Sequence, residues 1–178
     1  MKEKIKVNDI SSWTNSEIVS GDIDKYIINI STDSRTIKKG DFFIPLTGEN
    51  YNGHDFIGSA LDKGASGFVF EKGCRANLDL WKKKAGFGDS GNLVILQSGS
   101  TLDFLKSIAY NYIRKFKPVV IGITGSAGKT TTKDFLANIL GREHRVVFTP
   151  RNYNTEIGVS KSILEIGKNT DFFIAELG

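Results

Sequence analysis

The stretch that most limits what this chain can fold into lies between residues 118 and 135. After Pro118 an apolar run, Val119-Val120-Ile121-Gly122-Ile123, passes through Thr124 into Gly125-Ser126-Ala127-Gly128, and Lys129-Thr130-Thr131 then open a stretch with helical spacing. A continuous apolar strand suits a parallel sheet buried on both faces. A glycine-rich turn followed at once by a helix suits a bound phosphate. The glycines let backbone N–H groups turn inward around oxygens, and the helix N-terminus adds partial positive charge. In that arrangement Lys129 reaches the β- and γ-phosphates of a nucleotide as a point charge, and the Thr130 hydroxyl joins a Mg2+ shell. The candidate phosphate contacts are Gly125, Ser126, Ala127, Gly128, Lys129, Thr130 and Thr131. The widespread phosphate-loop pattern G-x-x-x-x-G-K-[ST] asks for glycine at position 123, where this chain has Ile123, read as part of the strand. The bland alternative is an ordinary strand-to-helix turn. The Gly-Lys-Thr triplet directly after an apolar strand argues against it.

The rest of the C-terminal portion continues the alternation. A helix is expected over 129–140, a strand over 145–149, a short helix within 156–167 and a strand from 171. Strand and helix in turn are the opening of an α/β domain. Glu176 ends the apolar run Asp-Phe-Phe-Ile-Ala-Glu at the carboxyl edge of its strand, the edge where open α/β sheets bind ligands. It is the candidate carboxylate beside a metal, with a plain strand-end glutamate as the alternative. Asp171 begins the same strand and belongs at the opposite edge. Such domains rarely end after three strands, so the chain is expected to be truncated.

Upstream, strands are expected over 25–31, 41–46, 66–71 and 92–97, each rich in Ile, Phe or Val. Residues 54–64 carry Phe56, Ile57, Ala60 and Leu61 at helical spacing, with Gly64 as the stop. Residues 72–91 read as an irregular surface excursion, and Lys82-Lys83-Lys84 within them as a solvated loop face. The clearest helix is 100–116, where Leu102, Leu105, Ile108, Ala109, Tyr112, Ile113 and Phe116 follow steps of three and four. Ser100 with Asp103 makes its capping-box-like start, and Pro118 stops it. A boundary there divides the chain into domains at 1–116 and 117–178. The expected class is α/β: a small N-terminal α/β domain, then the start of a parallel-sheet phosphate-loop domain.

Composition narrows the partners. A formal charge of +4 suits an anionic small molecule, but without basic clusters it argues for no nucleic acid. The single cysteine, Cys74, excludes an intrachain disulfide and any multi-cysteine metal site, which fits a reducing compartment. The N-terminus lacks the apolar core of a signal peptide, and no apolar run approaches membrane-spanning length. The expectation is a cytoplasmic protein with no membrane insertion.

Two blocks of residues resemble one family. "TGSAGKTTTKDFLANIL", then "TPRNYNTEIGVSKSILEI" and "DFFIAELG", are similar to the ATP-binding part of the Mur ligases, amide ligases of peptidoglycan precursors, which carry a shortened T-G-x-x-G-K-[ST] loop. The stretch beginning "STDSRTIKKGDFF", with its Asp-Ser-Arg, Gly-Asp-x-Phe and Gly-His-Asp-Phe-Ile elements, resembles the same family's N-terminal UDP-binding domain. The resemblance covers residues 26–70 and 119–178. Asn152-x-Asn154 ahead of Ile157-Gly158 looks most like the member that adds D-alanyl-D-alanine. Ala127 stands where the family often has Asn, and Thr155 where a second consecutive Asn is common.

The resemblance implies that ATP, with Mg2+, phosphorylates the terminal carboxylate of a UDP-N-acetylmuramoyl-tripeptide, and that D-Ala-D-Ala attacks the acyl phosphate. It makes Lys129 the catalytic candidate and Thr130 and Glu176 the metal candidates. It assigns Ser34, Arg35, Asn50, Asn152, Asn154 and Thr155 to substrate. Arg35 has a structural salt bridge as its alternative, Asn152 and Asn154 a turn after Pro150, and His54 reads as a helix-start residue. Rival readings are the ligase step that adds the third peptide residue, a folate-polyglutamating ligase (against which Gly-Lys-Thr-Thr-Thr speaks) and a non-catalytic UDP-sugar-binding fragment. These 178 residues alone are expected to show no turnover, and a monomer is expected.

Overall fold

In the computed structural model, residues 1–48, 51–84 and 93–178 are described. The chain divides into two compact units, Lys4–Leu105 and Met1–Glu3 with Lys106–Gly178. Both are α/β.

The first unit begins with β1 (Ile5–Lys6), α1 (Val7–Thr14) and β2 (Glu17–Ser20), none of which the sequence reading assigned. Val7 and Ile10 are buried three residues apart on α1, and the helix ends on Asn15 in the left-handed conformation. The strand expected over 25–31 is two strands, β3 (Tyr26–Ile27) and β4 (Ile30–Ser31). β3 pairs antiparallel with β1, whereas β4 pairs parallel with β5 (Phe42–Phe43). Between them Ile28 is largely exposed, so the apolar run does not stay on one surface. β5 is shorter than the expected 41–46. Ile44 still donates its N–H to Ser31, but Pro45 has no N–H to continue the ladder.

Next come β6 (Thr47–Gly48), β7 (Tyr51–Asn52), a 3-10 turn at Gly53–Phe56 and α2 (Ile57–Asp62), then β8 (Gly67–Glu71). Residues 72–84 are not irregular. They form a 3-10 turn, Lys72–Asn77, and α3 (Leu78–Lys84). Leu78 and Trp81, three apart, bury their side chains, and the three lysines fill the last turn, where cations complement the helix dipole. The remainder of that excursion, 85–91, lies outside the described residues. β9 (Val94–Ser98) leads into α4 (Thr101–Phe116). The five-stranded sheet has the order β2-β9-β8-β5-β4, parallel except for β2. Its core joins Phe43, Ile57, Phe68, Phe70, Trp81 and Ile95, with Trp81 edge-on to Phe68 at 5.5 Å between ring centres.

α4 contributes residues to both units. Ser100 Oγ accepts from Asp103 N–H at its start, and Lys117 at its end has φ 51 before Pro118. The second unit continues with β10 (Val119–Ile123), α5 (Lys129–Leu140), β11 (Val146–Phe148), α6 (Glu156–Ile163) and β12 (Phe172–Glu176). The sheet is parallel throughout, ordered β10-β12-β11. In the three-stranded sheet that these residues form, β10 is an outer strand, with Val119 and Val120 each 56% exposed, and β12, between its two neighbours, buries Phe173, Ile174, Ala175 and Glu176. Tyr112 is fully buried in this unit, accepting from Glu3 N–H and donating to Ile166 C=O, each at 2.9 Å. Among the described residues no helix is long and apolar enough to cross a membrane.

Candidate functional site

Strand register builds the site. In the parallel pairing of β10 with β12, Ile123 is the partner of Glu176. The residue that stands in place of the usual first glycine is therefore the last residue of its strand. The loop after it leaves the sheet at the same edge as the Glu176 carboxylate. Leu177 N–H donates to Ile123 C=O and holds the two strand ends together.

The loop has two left-handed glycines, Gly125 at φ 142 and Gly128 at φ 76. Gly128 is the N-cap residue of α5 and offers no side-chain cap. A Cβ there would meet nothing within 4 Å, so glycine is required by backbone conformation and not by crowding. The first N–H groups of α5 have no partner within the helix, and Gly125 to Gly128 are exposed beside them. Lys129 folds its ammonium back onto Gly125 C=O at 2.6 Å. The loop thus holds its own cation where a phosphate oxygen would compete for it. Ser126, Ala127 and Thr131 lie exposed around the same turn.

Thr130, in the first turn of α5, donates its hydroxyl to Glu176, 3.0 Å from Oε1 and 2.9 Å from Oε2. The Glu176 backbone N–H donates to the hydroxyl of Thr149, which is fully buried. Backbone and carboxylate are therefore both fixed. The hydroxyl and the carboxylate beside this glycine-rich turn are hard oxygen donors. Mg2+ typically takes one or two such protein ligands and completes its shell with water and phosphate oxygens. Among the described residues there is no group of three or more His, Cys, Asp or Glu side chains able to hold a metal alone. The donor set fits a cation that arrives with phosphate.

Sequence reading missed Lys133. It sits three residues after Thr130 and four after Lys129, on the face of α5 that also buries Ala137. Its side chain is 1% exposed, its ammonium lies 3.7 Å from Glu176 Oε2, and its Nζ has no hydrogen-bond partner among the described residues. The spacing from Lys129 was the available signal.

Asn152, Asn154 and Thr155 follow β11 in the same unit. Asn152 has φ 68, so the turn role read for it is realised. Asn154 C=O accepts from Gly178 N–H. Thr155 is the N-cap of α6, its hydroxyl oxygen accepting from Gly158 N–H at 3.2 Å. Asn154 and Thr155 line a cleft of about 360 Å³ with Lys106, Glu156, Ser160 and Leu177.

In the first unit Arg35 is engaged with Asp33 through Nε and Nη2, both at 2.8–2.9 Å, and its side chain is 87% exposed. The salt bridge named as its alternative is present. Ser34 is buried, and its C=O accepts from the Lys63 ammonium at 2.7 Å. Asn50 lies outside the described residues. His54 is a structural residue: its Nδ1 meets Asn52 Oδ1 at 2.8 Å and its Nε2 accepts from Glu71 N–H. Burial pushes its pKa down, favouring the neutral ring that accepts this bond.

Residues 26–103 match a family model described as "Mur ligase family, catalytic domain", and residues 123–178 match "Mur ligase middle domain". The chain is 36% identical over 180 residues to the UDP-N-acetylmuramoyl-tripeptide–D-alanyl-D-alanine ligase of a Synechocystis species, covering 99% of this chain and 37% of that protein. The crystal structure of MurF from Acinetobacter baumannii superposes with a TM-score of 0.82 at 29% identity, over 99% of this chain and 36% of its own. The MurF ligase of Thermotoga maritima, solved in complex with ADP, superposes with a TM-score of 0.66 at 33% identity, over 83% of this chain and 31% of its own. The chain thus spans about a third of the length of these proteins.

Proposed function

The chain belongs to the Mur ligase family, and on that premise we propose that its chemistry is the ATP-dependent joining of D-alanyl-D-alanine to a UDP-N-acetylmuramoyl-tripeptide in the cytoplasm. The observation that carries the reading is the contact of the Thr130 hydroxyl with the Glu176 carboxylate beside the glycine turn of α5. The name of the 36%-identical relative and the ADP complex of the Thermotoga structure support it.

A carboxylate is a poor electrophile at neutral pH. Transfer of the γ-phosphoryl group of ATP to the tripeptide carboxylate forms an acyl phosphate and ADP. The amine of D-Ala-D-Ala then attacks the acyl carbon, forming the amide and releasing phosphate. Both reactants of the first step are anionic, so the site must offset their repulsion. Lys129 does so by exchanging Gly125 C=O for phosphate oxygens, which makes it the catalytic residue. The Gly125–Gly128 turn, with Ser126 and Ala127, and the N–H groups at Lys129 to Thr131 orient the phosphates. Thr130 and Glu176 would hold Mg2+, which supplies charge neutralisation when bound.

The nucleotide end of the other substrate falls to residues 1–116, where Ser34, Arg35 and Asn50 are the contacts. Arg35 is exposed and already presents its guanidinium edge to a carboxylate, a geometry that also suits phosphate. Residues 117–178 take the ATP phosphates, with Asn152, Asn154 and Thr155 near the reacting end. The test is phosphate release by a protein of the relatives' length that carries these residues, given ATP and the two substrates singly and together. Release that requires both substrates is expected. Release indifferent to D-Ala-D-Ala overturns the reading.

A further inference from the structure

We propose that Lys133 is the resident counter-ion of the cation site, holding Glu176 charge-balanced without nucleotide and so making divalent-cation binding depend on the phosphate that comes with it. This rests on the phosphate reading of the α5 turn. Lys133 is fully buried, which is costly for an ammonium unless it is compensated. Three groups face it: Glu176 Oε2 at 3.7 Å, Asp134 Oδ1 at 3.3 Å and the ring of Phe148 at 5.7 Å from its centre. The Asp134 side chain is 41% exposed and its charge is screened by solvent. Glu176 is the buried partner.

An ammonium has three donors, and buried donors are normally used. Here none finds a hydrogen-bond acceptor among the described residues. The aim of the carboxylate comes from other groups, the Thr130 hydroxyl and the Thr149 hydroxyl behind the backbone N–H. What Lys133 adds is therefore charge. With Lys133 beside it, Glu176 offers a free divalent cation a nearly neutral pair. A cation carried by phosphate oxygens brings its own negative charge and meets no such deficit.

The probe is Mn2+, followed by its spin resonance as it is titrated into the 178-residue chain without nucleotide. Lys133→Met keeps the stem volume and removes the charge. It is expected to bind free Mn2+ more tightly than the unaltered chain by about tenfold or more, since a unit charge a few ångströms away outweighs the free energy of a factor of ten at a dielectric of about 20. Adding Glu176→Gln to Lys133→Met should abolish the gain. Free Mn2+ binding no tighter in Lys133→Met, or a gain that survives Glu176→Gln, overturns the assignment. If Lys133→Met does not fold by circular dichroism, Lys133→Gln is held to the same criterion. Failure of both to fold makes the lysine structural and also overturns it. Binding of Mn2+–ADP by the unaltered chain, lost in Lys129→Ala, checks the phosphate reading separately. A chain that gains free Mn2+ in Lys133→Met but never binds Mn2+–ADP keeps the counter-ion and discards the phosphate.

Discussion

The Thr130 hydroxyl donates to the Glu176 carboxylate from the first turn of α5 to the carboxyl end of β12, within 3.0 Å of both oxygens. The two residues are 46 apart in sequence. They meet because Glu176 is in register with Ile123, and only residues 124–128 separate Ile123 from the start of α5 at Lys129.

Thr130→Val keeps the shape of the side chain and removes the donor. A hydrogen bond to a charged group contributes about 1.5–3 kcal/mol, and the buried carboxylate is left short of a partner. The variant should be less stable by about that amount in urea unfolding, and should need about tenfold more Mg2+ to half-saturate ADP binding. Unaltered Mg2+ dependence would separate Thr130 from the cation.

Gly128→Ala tests conformation without crowding, since a Cβ has open space there. At φ 76 an L side chain costs about 1–2 kcal/mol, and Asn, which visits this region more readily, should cost less. Thermal unfolding should rank the variants Gly, Asn, Ala from most to least stable. Equal stability of all three would mean that the left-handed turn is not held in solution.

Tyr112 sets an alkaline limit. Burial pushes its hydroxyl up from an ordinary value near 10 to about 12. The folded state therefore keeps a proton that the unfolded state releases. The stability this represents is complete below about pH 10 and lost as pH rises toward 12. Tyr112→Phe leaves Glu3 N–H and Ile166 C=O unpaired and should cost about 1–3 kcal/mol at pH 8. The gap between the two proteins should narrow between pH 10 and 12, because other titrating groups are common to both. A constant gap in urea unfolding at pH 8 and 11 would contradict this.

The strand–turn–helix geometry at Gly125–Lys129 was legible in the sequence because its signals are local: an apolar strand, two glycines and Gly-Lys-Thr in succession. Glu176 was legible because strand polarity fixes which end of an apolar run faces the ligand edge. Lys133 was not, because a lysine three residues past Thr130 reads as solvated until the sheet is placed over it. β2 was missed because its partner is distant, Glu17 pairing with Gln97. The split of 25–31 depends on β1 and β5 competing for one apolar run, which no local spacing reveals. α3 was hidden by its lysines, though Leu78 and Trp81 carried the helical spacing. The hydroxyl of Thr155, read as a substrate contact, also serves to start α6.

The most direct test of the whole account is calorimetric titration of ADP with Mg2+ into the 178-residue chain and into Lys129→Ala. Saturable binding to the unaltered chain is expected, with a loss of at least about tenfold on removing the Lys129 ammonium, the worth of a charge-assisted hydrogen bond. Equal affinity in the two proteins would contradict it, because the turn that begins at Gly125 would then hold no phosphate.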